Sequence, residues 1–127
     1  MRYAKKYLGI DWGEKRIGLA LGDSETKIAT PFNVVGSIGE IVKIVKKEKI
    51  DAIILGKPVK MSGNEKLSDE FIKFIDLLKD ELIIPIKLVD ERLSSKAADA
   101  LVGDRKTKAP RDSVAAMLIL QSYLDGA

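Results

Sequence analysis

Apolar residues fall into two rhythms along this chain. From Tyr7 to Asp11 and again from Ile17 to Leu21 they run almost unbroken, the pattern of two short strands. Between them Trp12-Gly13-Glu14-Lys15-Arg16 reads as a hairpin turn, with Gly13 supplying an unusual backbone angle. A third strand is expected from Thr30 to Val35, after the polar bend at Ser24 to Lys27, and Pro31 suits a strand start or a sheet edge. The rhythm then lengthens. Ile38, Ile41, Val42 and Val45 recur at helical spacing while Lys43, Lys46, Lys47 and Glu48 occupy the other face, which predicts an amphipathic helix.

Ile50 to Leu55 predicts a compact strand that stops at Gly56. Ser62-Gly63-Asn64-Glu65 has capping-box spacing ahead of an apolar stripe through Leu67, Phe71, Ile75 and Leu78, so a second helix follows. Ile84 to Val89 is the next strand, closed by Asp90-Glu91-Arg92, and Ser94 or Ser95 caps a short alanine-rich helix ending near Gly103. After a polar loop from Asp104 to Arg111, Asp112 stands at an N-cap position and opens a helix through Leu124. That helix is apolar almost all round, which implies burial.

The element order predicts an α/β fold. Strands joined by helices are parallel, whereas the first three, joined by turns, are antiparallel, giving a mixed five-stranded sheet flanked by helices. At 127 residues the chain has material for one core, so a single domain over 1–127 is expected. No apolar run is long enough to cross a bilayer, and the first residues lack the anatomy of a signal peptide. A cytoplasmic protein with no membrane partner is the expectation.

Composition narrows the chemistry. With no cysteine and no histidine, thiolate nucleophiles, Cys-ligated zinc, catalytic triads and imidazole bases are all excluded. Carboxylate, lysine, tyrosine or metal-bound water remain for any acid-base work. Three acids share a property: Asp11 ends the first strand, Glu91 follows the last, and Asp112 begins the final helix. In parallel α/β architecture sites gather at the carboxyl ends of strands, where a helix N-terminus can also deliver a side chain. Two carboxylates about 5 Å apart repel by roughly 3 kcal/mol at an effective dielectric near 20. A cation relieves that repulsion, and oxygen-only ligands suit Mg2+ or Mn2+; two such ions can activate water and stabilise the leaving oxygen of a phosphodiester. Each acid also has a purely structural reading, as a turn residue, a surface ion-pair member or a helix cap.

The motifs themselves are familiar. Gly9-Ile10-Asp11-Trp12-Gly13, followed by Lys15-Arg16-Ile17-Gly18, resembles the opening signature of the YqgF family, ribonuclease H-like proteins described as Holliday junction resolvases and as pre-16S rRNA nucleases. Gly56-Lys57-Pro58 with Met61 and Gly63 resembles the family's central glycine-proline loop, and Asp90-Glu91-Arg92-Leu93-Ser94-Ser95 its DER motif. Asp112-Ser113-Val114-Ala115-Ala116 with Leu118-Ile119-Leu120-Gln121 resembles its closing helix, so the resemblance spans nearly the whole chain. It implies a ribonuclease H-like fold and a metal-dependent nuclease in which Asp11, Glu91 and Asp112 are the catalytic residues and hold Mg2+ or Mn2+, as a two-metal site. Whether Asp90 joins them stays open. Two departures matter: Lys57 stands where the family usually has an apolar residue, and Val59-Lys60-Met61-Ser62-Gly63 lacks the usual aspartate. The loop is therefore assigned to substrate rather than metal.

Net charge is only +3, so distribution counts for more than the sum. Arg105, Lys106, Lys108 and Arg111 directly precede Asp112, and Lys15 and Arg16 sit at the hairpin tip beside Asp11. With Lys57 and Lys60, these are the candidates for phosphate contacts, and such contacts predict steep salt dependence. The lysines of the first helix read as a solvated face. The resemblance implies hydrolysis of phosphodiester bonds at the 5′ end of precursor 16S rRNA in ribosome biogenesis, with structured RNA as partner. The alternatives are a resolvase of branched DNA, which needs a homodimer rather than a monomer to cut two strands together, and a nucleic-acid-binding module with little catalysis. Aspartate-x-glycine after a strand also marks the phosphate loop of actin-like and sugar-kinase ATPases, but those need two related domains and this chain has the length for one.

Overall fold

The computed structural model describes residues 4–57, 68–90 and 111–126. Five strands, β1 (Lys6–Asp11), β2 (Ile17–Asp23), β3 (Ala29–Val35), β4 (Ala52–Lys57) and β5 (Ile86–Asp90), form one sheet in the order β3-β2-β1-β4-β5. The described helices are α1 (Ile38–Glu48), α2 (Asp69–Glu81) and α3 (Arg111–Gly126). Antiparallel pairing joins β1 to β2 and β2 to β3, and parallel pairing joins β1 to β4 and β4 to β5. This is the mixed sheet that turn-joined and helix-joined strands predict. Among the described residues no helix is long and apolar enough to cross a membrane.

Side-chain alternation sorts the core onto two faces. Leu8, Ile10, Leu19, Ile53 and Leu55 meet Ile41 and Val45 of α1 and Phe71, Phe74 and Leu78 of α2. Tyr7, Ala20, Ala52 and Ile54 point the other way, against Ala116, Ile119, Leu120 and Leu124 of α3. Small residues dominate that second face for a reason. A Cβ on Gly9 would lie 2.7 Å from Leu120 Cβ and 2.9 Å from the Ala116 carbonyl oxygen, and one on Gly56 would overlap the Ile119 side chain. The sheet is paved with glycine and alanine where α3 lies on it, and no residue of α3 from Asp112 to Leu124 is fully exposed. At the far end of the same face Lys87 Nζ donates to Tyr123 Oη at 3.0 Å, and Tyr7 packs edge-on against Tyr123 with ring centroids 5.4 Å apart. Burial, and then the neighbouring Tyr123 hydroxyl, push the Tyr7 phenol above its ordinary pKa.

Element boundaries differ from the sequence pattern where capping chemistry competes with hydrophobicity. β4 begins at Ala52 rather than Ile50, because Lys49 adopts the left-handed conformation (φ 55°) that ends α1, and Ile50 donates back to the Val45 carbonyl at 3.0 Å. Ser68, not Ser62, caps α2: its Oγ accepts the Phe71 amide at 3.2 Å, with Asp69 and Glu70 in the first turn. The Ser62–Glu65 box lies outside the described residues, as does the alanine-rich segment before Gly103. β5 begins at Ile86 because Pro85, lacking an N–H, joins the ladder only as an acceptor for Ile53. Gly13 has no left-handed φ; it is needed instead for space, since a Cβ there would lie 2.7 Å from the Arg16 carbonyl oxygen. Pro31 lies, as its missing donor requires, on the outer strand β3, where Phe32 is the extra residue of a bulge opposite Leu19 and Ala20.

One side chain of α3 anchors the β2–β3 turn. Gln121 Oε1 accepts the buried Ala29 amide at 2.9 Å, while its Nε2 donates to the carbonyl of Lys27 at 2.8 Å, a residue held at φ 55°. Within the turn Asp23 Oδ1 accepts from the Glu25 and Thr26 amides and the Thr26 hydroxyl, and these bonds, the Thr26 amide foremost, hold its carboxyl below the ordinary range. Gln121→Ala removes both bonds to the turn and strands a buried amide, so we expect a loss of about 1–3 kcal/mol in urea denaturation. Gln121→Glu, which keeps the acceptor for Ala29 but not the donor, should retain part of that stability.

Candidate active site

The parallel register brings three strand ends to one edge of the sheet. Ile10 of β1 stands beside Leu55 of β4, and Gly56 and Lys57 stand beside Val89 and Asp90 of β5. The antiparallel β2 starts at the same edge, with Gly18 as the cross-strand partner of Asp11. Paired Cα atoms in an antiparallel ladder lie about 5 Å apart. Asp112 completes the group from above: the space a Gly18 Cβ would occupy is filled by the Asp112 carbonyl group and the Ser113 amide nitrogen. Asp11 alternates with Tyr7 and Gly9 and so belongs to the face on which α3 lies. Asp11 and the Asp112 backbone, from residues 101 positions apart in the chain, thus flank the same glycine.

The next residue, Trp12, falls on the opposite face. Its ring packs against Phe71 at 5.5 Å and Phe74 at 6.0 Å, both on α2. The end of β1 is therefore gripped from both sides, and the rotation that would turn Asp11 away from α3 would pull an indole out of its aromatic contacts.

Asp112 sits in the first turn of α3, one residue inside the helix rather than at the expected N-cap. The partial positive charge of a helix N-terminus favours a carboxylate there. Arg16, leaving the hairpin turn, adds a second positive charge, with its Nε 3.3 Å from Asp112 Oδ2. Both side chains are substantially solvent-exposed, at 67% and 36%, so this ion pair contributes little stability and exchanges readily with other partners. The carboxylates of Asp11 and Asp112 come from separate elements and are hard oxygen donors, the type of ligand that magnesium- or manganese-type cations take. Among the described residues no group of three or more potential ligands gathers. Glu91, the third acid singled out in the sequence, lies outside the described residues.

The remaining candidates divide. Lys15 is exposed in the turn beside Arg16, on the same edge as Asp11. Lys57 ends β4 as the register partner of Asp90, and alternation sets both on the face of Ile53 and Leu55, away from α3. Arg111 opens α3. Lys60, Arg105, Lys106 and Lys108 lie outside the described residues. Two contributors escaped sequence reasoning: Gly18, whose lack of a side chain admits Asp112, and Trp12, which fixes the strand end. The signal for Gly18 is its alternation with Ala20 and Gly22 along β2, a line of small residues that marks a close backbone approach.

Comparison with known proteins accords with this geometry. A family profile described as "RuvX: Holliday junction resolvase" matches residues 5–126. A relative from Maridesulfovibrio salexigens named "Putative pre-16S rRNA nuclease" is 37% identical, over 94% of this chain and 97% of that protein. Relatives of the same name from Orientia tsutsugamushi, 39% identical over 94% of this chain and 83% of theirs, and from Chloroflexus aurantiacus, 35% identical over 93% and 85%, agree. Among solved structures, Thermus thermophilus RuvC in complex with a Holliday junction superposes with a TM-score of 0.61 over 95% of this chain and 94% of that one, at 12% identity. The fowlpox virus resolvase bound to junction DNA gives 0.54 over 95% and 97%, at 14% identity. These two likenesses establish the ribonuclease H-like fold.

Gly18→Ala forces a methyl group into the Asp112 backbone, and we expect a loss of about 1–3 kcal/mol, the usual range for overpacking. Gly36→Ala, where a Cβ meets nothing within 4 Å, should change stability by less than about 0.5 kcal/mol. Equal losses in the two variants by thermal denaturation would show that α3 does not bear on Gly18.

Proposed function

The chain belongs to the RuvX (YqgF) family, and on that premise we propose that it is a metal-dependent nuclease that hydrolyses phosphodiester bonds in the 5′ region of precursor 16S rRNA. The observation that carries the reading is the packing of the Asp112 backbone on Gly18, the cross-strand partner of Asp11, at the strand-end edge of a RuvC-like sheet. The names of the relatives supply the RNA. Cytoplasmic location and action on structured RNA follow from that substrate.

In this reading Asp11, Glu91 and Asp112 hold Mg2+ or Mn2+. Bound there, the ions supply activation of the attacking water and neutralisation of charge on the leaving oxygen. Everything else falls to the chain. β1 and α3 present their two carboxylates from elements fixed by packing, so the donors are in place before substrate arrives. Lys15 and Arg16 hold the phosphate backbone beside them, with Lys57, Lys60, Arg105, Lys106, Lys108 and Arg111 as further contacts. With no histidine in the chain, proton transfer falls to carboxylates or solvent.

The family description favours a second substrate, a four-way DNA junction. Two-strand cleavage there needs a symmetric homodimer, whereas one active centre suffices for RNA. Parallel assays on a precursor rRNA fragment and a synthetic junction, with Mg2+ and with EDTA, separate the two. We expect RNA cleavage that EDTA abolishes; efficient junction cleavage with inert RNA reverses the assignment. Asp11→Asn should reduce cleavage to background while the thermal melting point and RNA affinity hold. Undiminished cleavage by purified Asp11→Asn protein would remove Asp11 from the mechanism.

A further inference from the structure

Arg16 stands where two functions overlap. It is an exposed arginine at the hairpin tip, placed to meet a phosphate of bound nucleic acid, yet its guanidinium is 3.3 Å from Asp112, an acid that the functional reading assigns to metal. A guanidinium and a divalent cation compete for the same carboxylate charge. The pairing joins Arg16 Nε to Asp112 Oδ2, and both side chains remain open to solvent. A phosphodiester offers the same arginine a charge-assisted, bidentate alternative.

We infer that Arg16 is an exchangeable counter-ion coupling nucleic-acid binding to metal binding: it neutralises Asp112 in the resting protein and transfers to a backbone phosphate when nucleic acid binds. Its departure leaves Asp112 to the cation. Metal and nucleic acid therefore bind cooperatively, and by linkage each strengthens the other by the same factor. The device keeps the resting protein from holding a fully charged metal centre with no substrate. Geometry supports the exchange at each point. Arg16 immediately precedes Ile17 and so rides on the rigid start of β2, one residue before Gly18, against which the Asp112 backbone lies. Asp112 is anchored through that backbone, so the guanidinium can leave without displacing the carboxylate from the edge.

The inference rests on the functional reading, but its test separates the two. Mn2+ binding is measured by electron paramagnetic resonance on the full chain, without nucleic acid, for wild type, Arg16→Gln and Lys15→Gln. Removing one positive charge from beside a divalent ion in water should tighten Mn2+ binding by about threefold to tenfold in Arg16→Gln. Lys15→Gln loses the same charge from the neighbouring position and should change affinity much less. Unchanged affinity in Arg16→Gln, or equal tightening in both variants, overturns the inference whatever the fate of the nuclease assignment.

The second arm uses a fluorescein-labelled single-stranded RNA and fluorescence anisotropy. In wild type, Mn2+ should tighten RNA binding by at least about fivefold, the lower end of couplings between linked sites, and Arg16→Gln should abolish that enhancement. Without metal, Asp112→Asn releases Arg16 and should tighten RNA binding in the wild-type background more than in Arg16→Gln. Equal tightening in both backgrounds would reduce the effect to general charge and defeat the proposal. Failure of wild type to bind RNA at all, with the Mn2+ result intact, would instead overturn the functional reading.

Discussion

The close approach of α3 to the sheet is the constraint on which the rest depends. Glycine at positions 9, 18 and 56 and alanine at 20 and 52 remove the side-chain layer that normally separates a helix from a sheet. The helix backbone consequently rests on strand backbone at Gly18. That contact sets the Asp112 backbone on Gly18, the cross-strand partner of Asp11. At these glycines even an added methyl group would collide with the helix.

Such placement has an electrostatic cost that the fold offsets locally. A carboxylate at this edge sits beside the N-terminus of α3 and the guanidinium of Arg16. Neither neutralises the site permanently, since a helix terminus carries only a partial charge and the Arg16 pair is largely solvated. The opposite face of β1 supplies rigidity by other means, through the Trp12 contacts with Phe71 and Phe74.

The fold was legible in the sequence because its signals are local. Apolar runs joined by turn residues gave the antiparallel strands, helix-spaced stripes gave the connections, and Pro31 marked the sheet edge. Boundaries were less legible, since they are decided by caps: Lys49 entering the left-handed region and Ser68 displacing Ser62 are choices that hydrophobic periodicity does not encode. At the site, strand-end logic identified Asp11 and Asp112 as candidates. It did not identify the helix that packs beside Asp11, because small residues alternating along β2 mark a close approach without naming the element, 94 residues away, that makes it. The Arg16 pairing was hidden for a related reason: a basic residue at a hairpin tip looks the same whether it awaits a phosphate or already holds an acid.

The outer strand β3 carries one more implication. Pro31 deletes a donor from its sequence and the bulge at Phe32 breaks its pleat, so this border of the sheet offers no continuous ladder to a neighbouring molecule. Growth of the sheet by strand addition is blocked on that side. Self-association of this protein is thereby steered toward its helical surfaces or the β5 border.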